Sequence, residues 1–205
     1  MTTDNNLRLP ADPIDGLLMW LKEAEVAGLL EPTAMTLATA TPEGKPSARI
    51  VLYKGLSAAS DGRRCPRFFT NFESRKSKEL AVNPQGSVVF HWNKLSRQLR
   101  IEGRFEKVSG RENEEYFASR PRGSQIGAWA SPQSRTIPTR EMLDQLVKTT
   151  EEKFGSAPIP CPPFWGGWRL VPSRLEFWQG VTNRLHDRFV YEWNGKSWDL
   201  SRLAP

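Results

Sequence analysis

The first clear pattern along the chain is helical: Ile14, Leu17, Leu18 and Leu21 recur at three- and four-residue spacing behind Asp12-Pro13, a cap residue followed by a first-turn proline. A helix is predicted to about Gly28. β-Branched and apolar residues replace that period over 35–39 and 47–54, with Thr41, Pro42, Glu43 and Gly44 as the turn of a hairpin. A further strand is predicted over 67–71, then a short helix capped by Ser74 and ended by Asn83 and Pro84, then strands over 87–92 and 98–108. Ser109 and Glu112 have capping-box spacing and open a helix to about Ser119. Residues 121–138 show little periodicity and read as a loop whose Ser, Gln, Arg and Trp129 content suits function better than spacing. Met142 with Leu146 and Leu143 with Val147 mark another helix, stopped by Gly155 and followed by a proline-rich connector over 158–163. Strand character returns over 168–171, 175–179 and 188–193, and Asn194-Gly195 predicts a type I′ hairpin turn.

Seven or eight strands with a few helices, in no strict βαβ order, predict a mainly β (α+β) fold: an antiparallel barrel with peripheral helices. At 205 residues and 38% hydrophobic content the chain buries about two-thirds of its unfolded surface, and one domain over 1–205 is expected. There is no internal repeat or low-complexity tract.

The formal charge of +6 favours an anionic partner, whether nucleic acid, a membrane surface or a phosphorylated small molecule. The basic residues are dispersed among aromatics and small polar side chains, a pattern that suits discrete phosphate pockets better than a nucleic-acid stripe. Cys65 and Cys161 each adjoin a proline and support neither a disulfide framework nor a zinc site, so a reducing, cytoplasmic setting is expected. No signal-like start or long apolar stretch is present and mean hydropathy is −0.54; no membrane association and no metal are expected.

Three clusters are candidates for chemistry. Arg184, His186 and Arg188 alternate, so an extended chain would point them to one face, where they would repel unless an anion or electron-rich ring sat among them; a solvated edge strand is the bland alternative. Tyr116 and Arg120 lie four apart, with Ser124 beyond, and suit a phosphate cradle; on their own they suit an ordinary helix surface better. Arg49 and Lys54 on one strand, with Arg75 and Lys76 at a helix start, suit a second phosphate, with Gln133 and Ser134 as neutral donors. Gln98 can serve the edge of a heterocycle. The chain lacks GxGxxG after a strand, GxxxxGK[ST], GxSxG and any Cys/His nucleophile pair, so a site built from these clusters needs its chemistry from a bound cofactor.

With those residues in place the chain resembles the pyridoxamine 5'-phosphate oxidase family over nearly its whole length. The stretches that carry the resemblance are LPADP from Leu9, RIVLYKG from Arg49, FFTNFESRKSKEL from Phe68, RQLRIEG from Arg97, YFASRPRGSQIGAWASPQS from Tyr116, FWGGWRL from Phe164, EFWQGVTNRLHDR from Glu176 and the terminal RLAP. The resemblance implies an FMN-binding split barrel, homodimeric, with flavin sites at the subunit interface, strands over 165–205 serving dimerisation and the active site, and a flexible segment over 1–12. It implies that Arg49, Ile50, Val51, Leu52, Lys54, Phe69, Thr70, Arg75, Lys76, Gln133 and Ser134 hold the FMN phosphate and ribityl chain, and that Gln98, Trp178 and Arg188 meet its ring. Lys54, Tyr116, Arg120 and Ser124 would bind the substrate phosphate, with Arg184, Leu185 and His186 at the pyridine ring and Arg184 and His186 catalytic.

The implied reaction oxidises pyridoxine or pyridoxamine 5'-phosphate by hydride transfer from C4' to flavin, with O2 reduced to H2O2. Departures from the family's usual pattern are Tyr53, His91 and a long loop over 56–66. Two other readings compete: a split barrel that stores or senses a flavin or pyridoxal phosphate, which would tolerate loss of Arg184 and His186, and an RNA-binding barrel, which would need an RNP-like motif that the chain lacks.

Overall fold

In the computed structural model, which describes residues 8–205, Asp12 caps the first helix through Oδ1, which accepts from the Ile14 N–H at 2.8 Å. Helix α1 (Pro13–Val26) then buries Ile14, Leu17, Trp20, Leu21 and Ala24. Of the segment expected to be flexible, residues 1–7 lie outside the described residues. The remainder is tied down: Leu9 packs on the main core and the Tyr191 hydroxyl donates to the Pro10 carbonyl at 2.7 Å.

The strands are β1 (Ala34–Ala40), β2 (Pro46–Leu52), β3 (Leu56–Ala58), β4 (Arg64–Asn71), β5 (Gln85–Trp92), β6 (Arg97–Lys107), β7 (Trp165–Gln179), β8 (Asp187–Trp193) and β9 (Trp198–Leu203). They form one antiparallel sheet in the order β2-β1-β5-β6-β7-β4-β3, with β8 and β9 branching from β7. β7 is the spine. One edge pairs with β6 over residues 168–179, while the other pairs with β4 over residues 165–169 and with β8 over 174–179. Backbone bonds from Lys54 N to Arg67 O and from Arg67 N to Gly55 O draw the chain after β2 onto β4, so the sheet curls into a split barrel that stays open.

The main core lies between α1 and the concave face, where Trp20 meets Phe177 and Trp92 edge-on at 4.9 and 6.0 Å. A second core of Phe117, Ile126, Ile159 and Trp165 lies under α3 (Gly110–Ala118), α4 (Arg122–Ala130) and α5 (Arg140–Phe154), and α2 (Arg75–Val82) follows β4. As the capping box predicts, Ser109 Oγ accepts from the Glu112 N–H. Ser74 is the N-cap of α2 without a capping bond, and its hydroxyl accepts from Lys76 Nζ instead.

Four expectations are corrected. Residues 122–130 are helical: α4 buries only Gln125, Ile126 and Ala130, and its two glycines dilute the apolar period. The loop expected over 56–66 contains β3 and the start of β4. The strands expected over 168–171 and 175–179 are one strand, interrupted in pattern where Pro172 pairs with Gly103 at a β-bulge. Asn194-Gly195 is not a type I′ turn: the β8–β9 connection is four residues long, the Asn194 carboxamide accepts from the Lys196 and Ser197 N–H groups, and within the turn only Gly195 takes positive φ.

Candidate active site

Near the N-terminal end of β7 the open barrel leaves a cavity of about 340 Å³ between β2, β4, α2, α3 and the chain after α4. Ile50, Val51, Leu52, Lys54, Phe69, Thr70, Lys76, Tyr116, Arg120 and Gln133 all line it, so ten of the expected residues converge there from positions 50 to 133. Trp165, which the residue-level reading did not single out, forms part of its wall. Phe69, Tyr116 and Trp165 stack, with Phe69 3.9 Å from Tyr116 and 5.4 Å from Trp165, and Arg120 lies over Trp165 at 4.7 Å. Arg120 and Gln133 also border an adjoining cavity of about 240 Å³ that contains Ser124. Ser134 follows with φ of 67°, a left-handed backbone held just past Gln133.

The electrostatics of this cavity are those of an anion site. Lys76 Nζ donates to Thr70 Oγ1, Ser74 Oγ and Gln133 Oε1 at 2.9–3.1 Å, and burial, helped by the Arg49 charge, lowers its pKa to about 8. Arg120 Nη1 is buried with no hydrogen-bond partner among the described residues, and burial depresses its guanidinium. Among the described residues Lys54, Lys76 and Arg120 have no carboxylate partner. A buried cation with open donors is costly unless an anion meets it.

Arg49 and Arg75 are placed differently. Both reach Glu79, at 3.5 and 2.8 Å, and Arg49 also donates to Thr39, Ser47 and the Leu37 carbonyl. Burial raises Glu79, but the Ser47, Thr39 and Arg75 bonds outweigh it and hold the carboxyl at about 2. Glu79 is absent from the expected site residues; its spacing of four from Arg75 on one helix allows a pair but does not mark its burial.

The second group of expected residues lies toward the other end of β7. The register aligns Gln98, Trp178 and Arg188 in one row across β6, β7 and β8, so their side chains share a face. His186 packs on Trp178 at 4.6 Å, and its Nδ1 accepts from the Val181 N–H. Arg184, His186 and Arg188 do not share the face of one extended strand: Thr182–Arg184 is a 3-10 turn, Asn183 and Arg184 both take left-handed φ of about 60°, and the strand begins only at Asp187. Arg184 and Leu185 are exposed on that turn. Arg188 is paired with Glu176.

Gly166, beside Thr70, and Trp178, beside Arg188, are joined by about 40 Å of strand contour. Among the described residues no group of His, Cys, Asp or Glu converges as metal ligands would, and no helix is long and apolar enough to cross a membrane. Cys65 and Cys161 are free thiols.

Comparison with known proteins gives this geometry a lineage. A family model described as pyridoxamine 5'-phosphate oxidase matches residues 21–154, and one described as the pyridoxine 5'-phosphate oxidase C-terminal dimerisation region matches 165–205. Curated relatives called pyridoxine/pyridoxamine 5'-phosphate oxidase include those of Cupriavidus taiwanensis, 52% identical over 95% of this chain and 89% of the relative, and Rubrobacter xylanophilus, 50% identical over 95% and 87%. Among solved structures, PhzG of Burkholderia lata in complex with tetrahydrophenazine-1-carboxylic acid is 34% identical, with a TM-score of 0.86 over 96% of this chain and 94% of that one. A pyridoxamine 5'-phosphate oxidase-related, FMN binding protein of Nostoc punctiforme shares the fold, with a TM-score of 0.75 at 17% identity over 96% of this chain and all of that one. With both halves of the sheet matched and half of all positions identical along nearly the full chain, the protein belongs to the pyridoxamine 5'-phosphate oxidase family.

Proposed function

We propose that the protein is an FMN-dependent oxidase that converts pyridoxine and pyridoxamine 5'-phosphates to pyridoxal 5'-phosphate with O2 reduced to H2O2, acting as a cytoplasmic homodimer whose active sites are shared between two copies. The observation that carries this reading is the cavity of carboxylate-free cations, Lys54, Lys76 and Arg120, walled by stacked aromatics. The residues fit a flavin mononucleotide: Lys76, Thr70 and Gln133 of one copy offer a cation and polar donors to its phosphate, and the Gln98–Trp178–Arg188 row of the second copy offers a face for its ring. Arg49 and Arg75, offset by Glu79, would contribute through their remaining N–H groups.

When bound, the flavin supplies a hydride acceptor that oxygen can regenerate. The chain supplies position. Arg120, with its open Nη1, would grip the substrate phosphate with Lys54, Tyr116 and Ser124. Arg184 and His186 of the second copy would face the pyridine ring, and Arg184 would steady charge as the C4' bond breaks. The two groups' places toward opposite ends of β7 favour a site shared between copies, and the match of residues 165–205 to a dimerisation region supports the dimer.

Arg184→Ala tests the assignment. The variant is expected to bind FMN as the parent does and to lose about a hundredfold in kcat with pyridoxine 5'-phosphate. Parental turnover would remove Arg184 from the chemistry.

Lys76 gives the site a pH dependence. Burial disfavours its charged form, and a phosphate placed against it favours that form, so binding raises its pKa and takes up a proton when Lys76 starts neutral. FMN affinity is therefore expected to be level from about pH 7 to about pH 8, where the phosphate is a dianion, and to fall above that, by up to about tenfold per pH unit, in a fluorescence titration. A Lys76→Met variant should bind weakly and lose this slope.

A further inference from the structure

We infer that Glu176 is a positioning residue for the flavin ring, acting through Arg188; the assignment rests on the proposed function. Glu176 lies on β7 with its side chain only 3% exposed. Its Oε1 accepts from Arg188 Nε at 2.9 Å and lies 2.8 Å from Arg188 Nη2, while Oε2 accepts from Arg100 Nη2 at 2.7 Å and lies 3.5 Å from Arg174. Arg188 is further fixed by Nη1, which donates to the Ala204 carbonyl at 3.0 Å. Its guanidinium is thus held from two sides.

The register explains why this matters to the ring. Side chains two apart on a strand share a face, so Glu176 stands beside Trp178 and pairs across to Arg100, one row behind Gln98, Trp178 and Arg188. An ionised carboxylate so deeply buried is tolerated only when its charge is met by well-placed partners. Arg100 and Arg174 have a second acidic partner, Glu102, at 2.9 and 3.2 Å. Arg188 has none besides Glu176 among the described residues. Glu176 therefore holds the one guanidinium that borders the ring and cancels its charge, which fixes a flat wall for the flavin and keeps net positive charge away from the place where the reduced flavin would be anionic.

The test uses the apo dimer titrated with FMN, followed by measurement of the bound flavin's midpoint potential. Glu176→Gln is expected to raise the FMN Kd about tenfold and to make the potential more positive, because an unbalanced Arg188 charge favours the reduced flavin. Glu176→Asp keeps the charge on a shorter arm, so it should weaken binding with little change in potential. Glu102→Gln should change neither. In an Arg188→Met background, Glu176→Gln should add no further loss of affinity, since the path through Arg188 is gone. Parental affinity and potential in Glu176→Gln, or an equal loss in both backgrounds, would overturn the inference and leave Glu176 a purely structural residue. Should Glu176→Gln fail to fold, Glu176→Asp with and without Arg188→Met decides by the same criterion. A parent protein that binds no FMN would overturn the proposed function and this inference together, whereas parental binding with indifferent variants overturns the inference alone.

Discussion

Arg120→Ala is expected to keep FMN bound and to lose on the order of a thousandfold in kcat/KM for pyridoxine 5'-phosphate, most of it in KM. The guanidinium is held on the Trp165 face with Nη1 buried and open, so an incoming phosphate gains charge-assisted hydrogen bonds without having to order the side chain. Water is a poor substitute at such a buried position. Arg120→Lys keeps the charge but not the planar fork, and should recover only part of the loss. The same substitution has a second, opposite consequence. Because the buried, partnerless Nη1 of Arg120 offsets the packing of its guanidinium on Trp165, removing the side chain should leave the thermal midpoint of the apo form within a few degrees of the parent's. Steady-state kinetics with phosphorylated and unphosphorylated substrate separate the effects: unphosphorylated pyridoxine should be used equally poorly by both proteins. An Arg120→Ala enzyme with parental KM would show that the phosphate binds elsewhere.

The largest effect on stability is expected from Gly103→Ala. Gly103 pairs with Pro172 at the bulge of β7, and a Cβ there would lie 2.1 Å from the Val171 carbonyl oxygen and 3.0 Å from its carbon. The obstacle is backbone within a ladder, so relief requires displacing β7 from β6 just where β7 passes from pairing with β4 to pairing with β8. A cost of about 3–4 kcal/mol follows, which for a chain of this size lowers Tm by roughly 10 °C. Thermal unfolding followed by circular dichroism checks it, and a midpoint within 2 °C or so of the parent would mean that the bulge can open cheaply. The bend at this bulge separates the two groups of site residues, so FMN affinity should fall as well.

The elements that were legible in the sequence are those specified by short-range chemistry. Asp12-Pro13 and Ser109 with Glu112 announce α1 and α3 because a cap needs only the next few backbone N–H groups. α4 escaped because Gly123, Ser124, Gln125 and Gly127 dilute the helical spacing of Ile126, Trp129 and Ala130, and its helix is held by packing against Phe117 and Trp165. β7 was read as two strands because Pro172 and Ser173 break the period, although the chain runs on through the bulge. Left-handed backbone at Asn183 and Arg184 was invisible, since neither residue is glycine, and the alternation that seemed to align Arg184 with His186 and Arg188 holds only in an extended strand. Asn194-Gly195 marked the hairpin correctly and its turn type wrongly, because the Asn194 carboxamide stabilises a longer loop.

The cavity around Lys76 and Arg120 draws on residues 50 to 133, and no local period brings those positions together; residue chemistry alone points to Lys54, Lys76, Tyr116, Arg120 and Gln133 as phosphate ligands, and the resemblance adds Ile50, Val51, Leu52, Phe69 and Thr70. Glu79 and Glu176 were not singled out because a buried acid and an exposed one look alike in sequence. Each lies against arginines that the resemblance assigned to the flavin, so the acids set how much of that positive charge a ligand meets.

Subunit complementation tests most directly whether the two ends of β7 belong to one shared site. Arg120→Ala and Arg184→Ala chains, carrying different affinity tags, are unfolded together, refolded in equal amounts and assayed. In a two-fold dimer of random composition, half of the dimers are mixed, and each mixed dimer has one site with both arginines intact and one with neither. Recovery of about a quarter of parental activity is expected, residing in the doubly tagged fraction. Activity no higher than that of the two variants alone would place Arg120 and Arg184 of each site on the same chain and contradict a shared site.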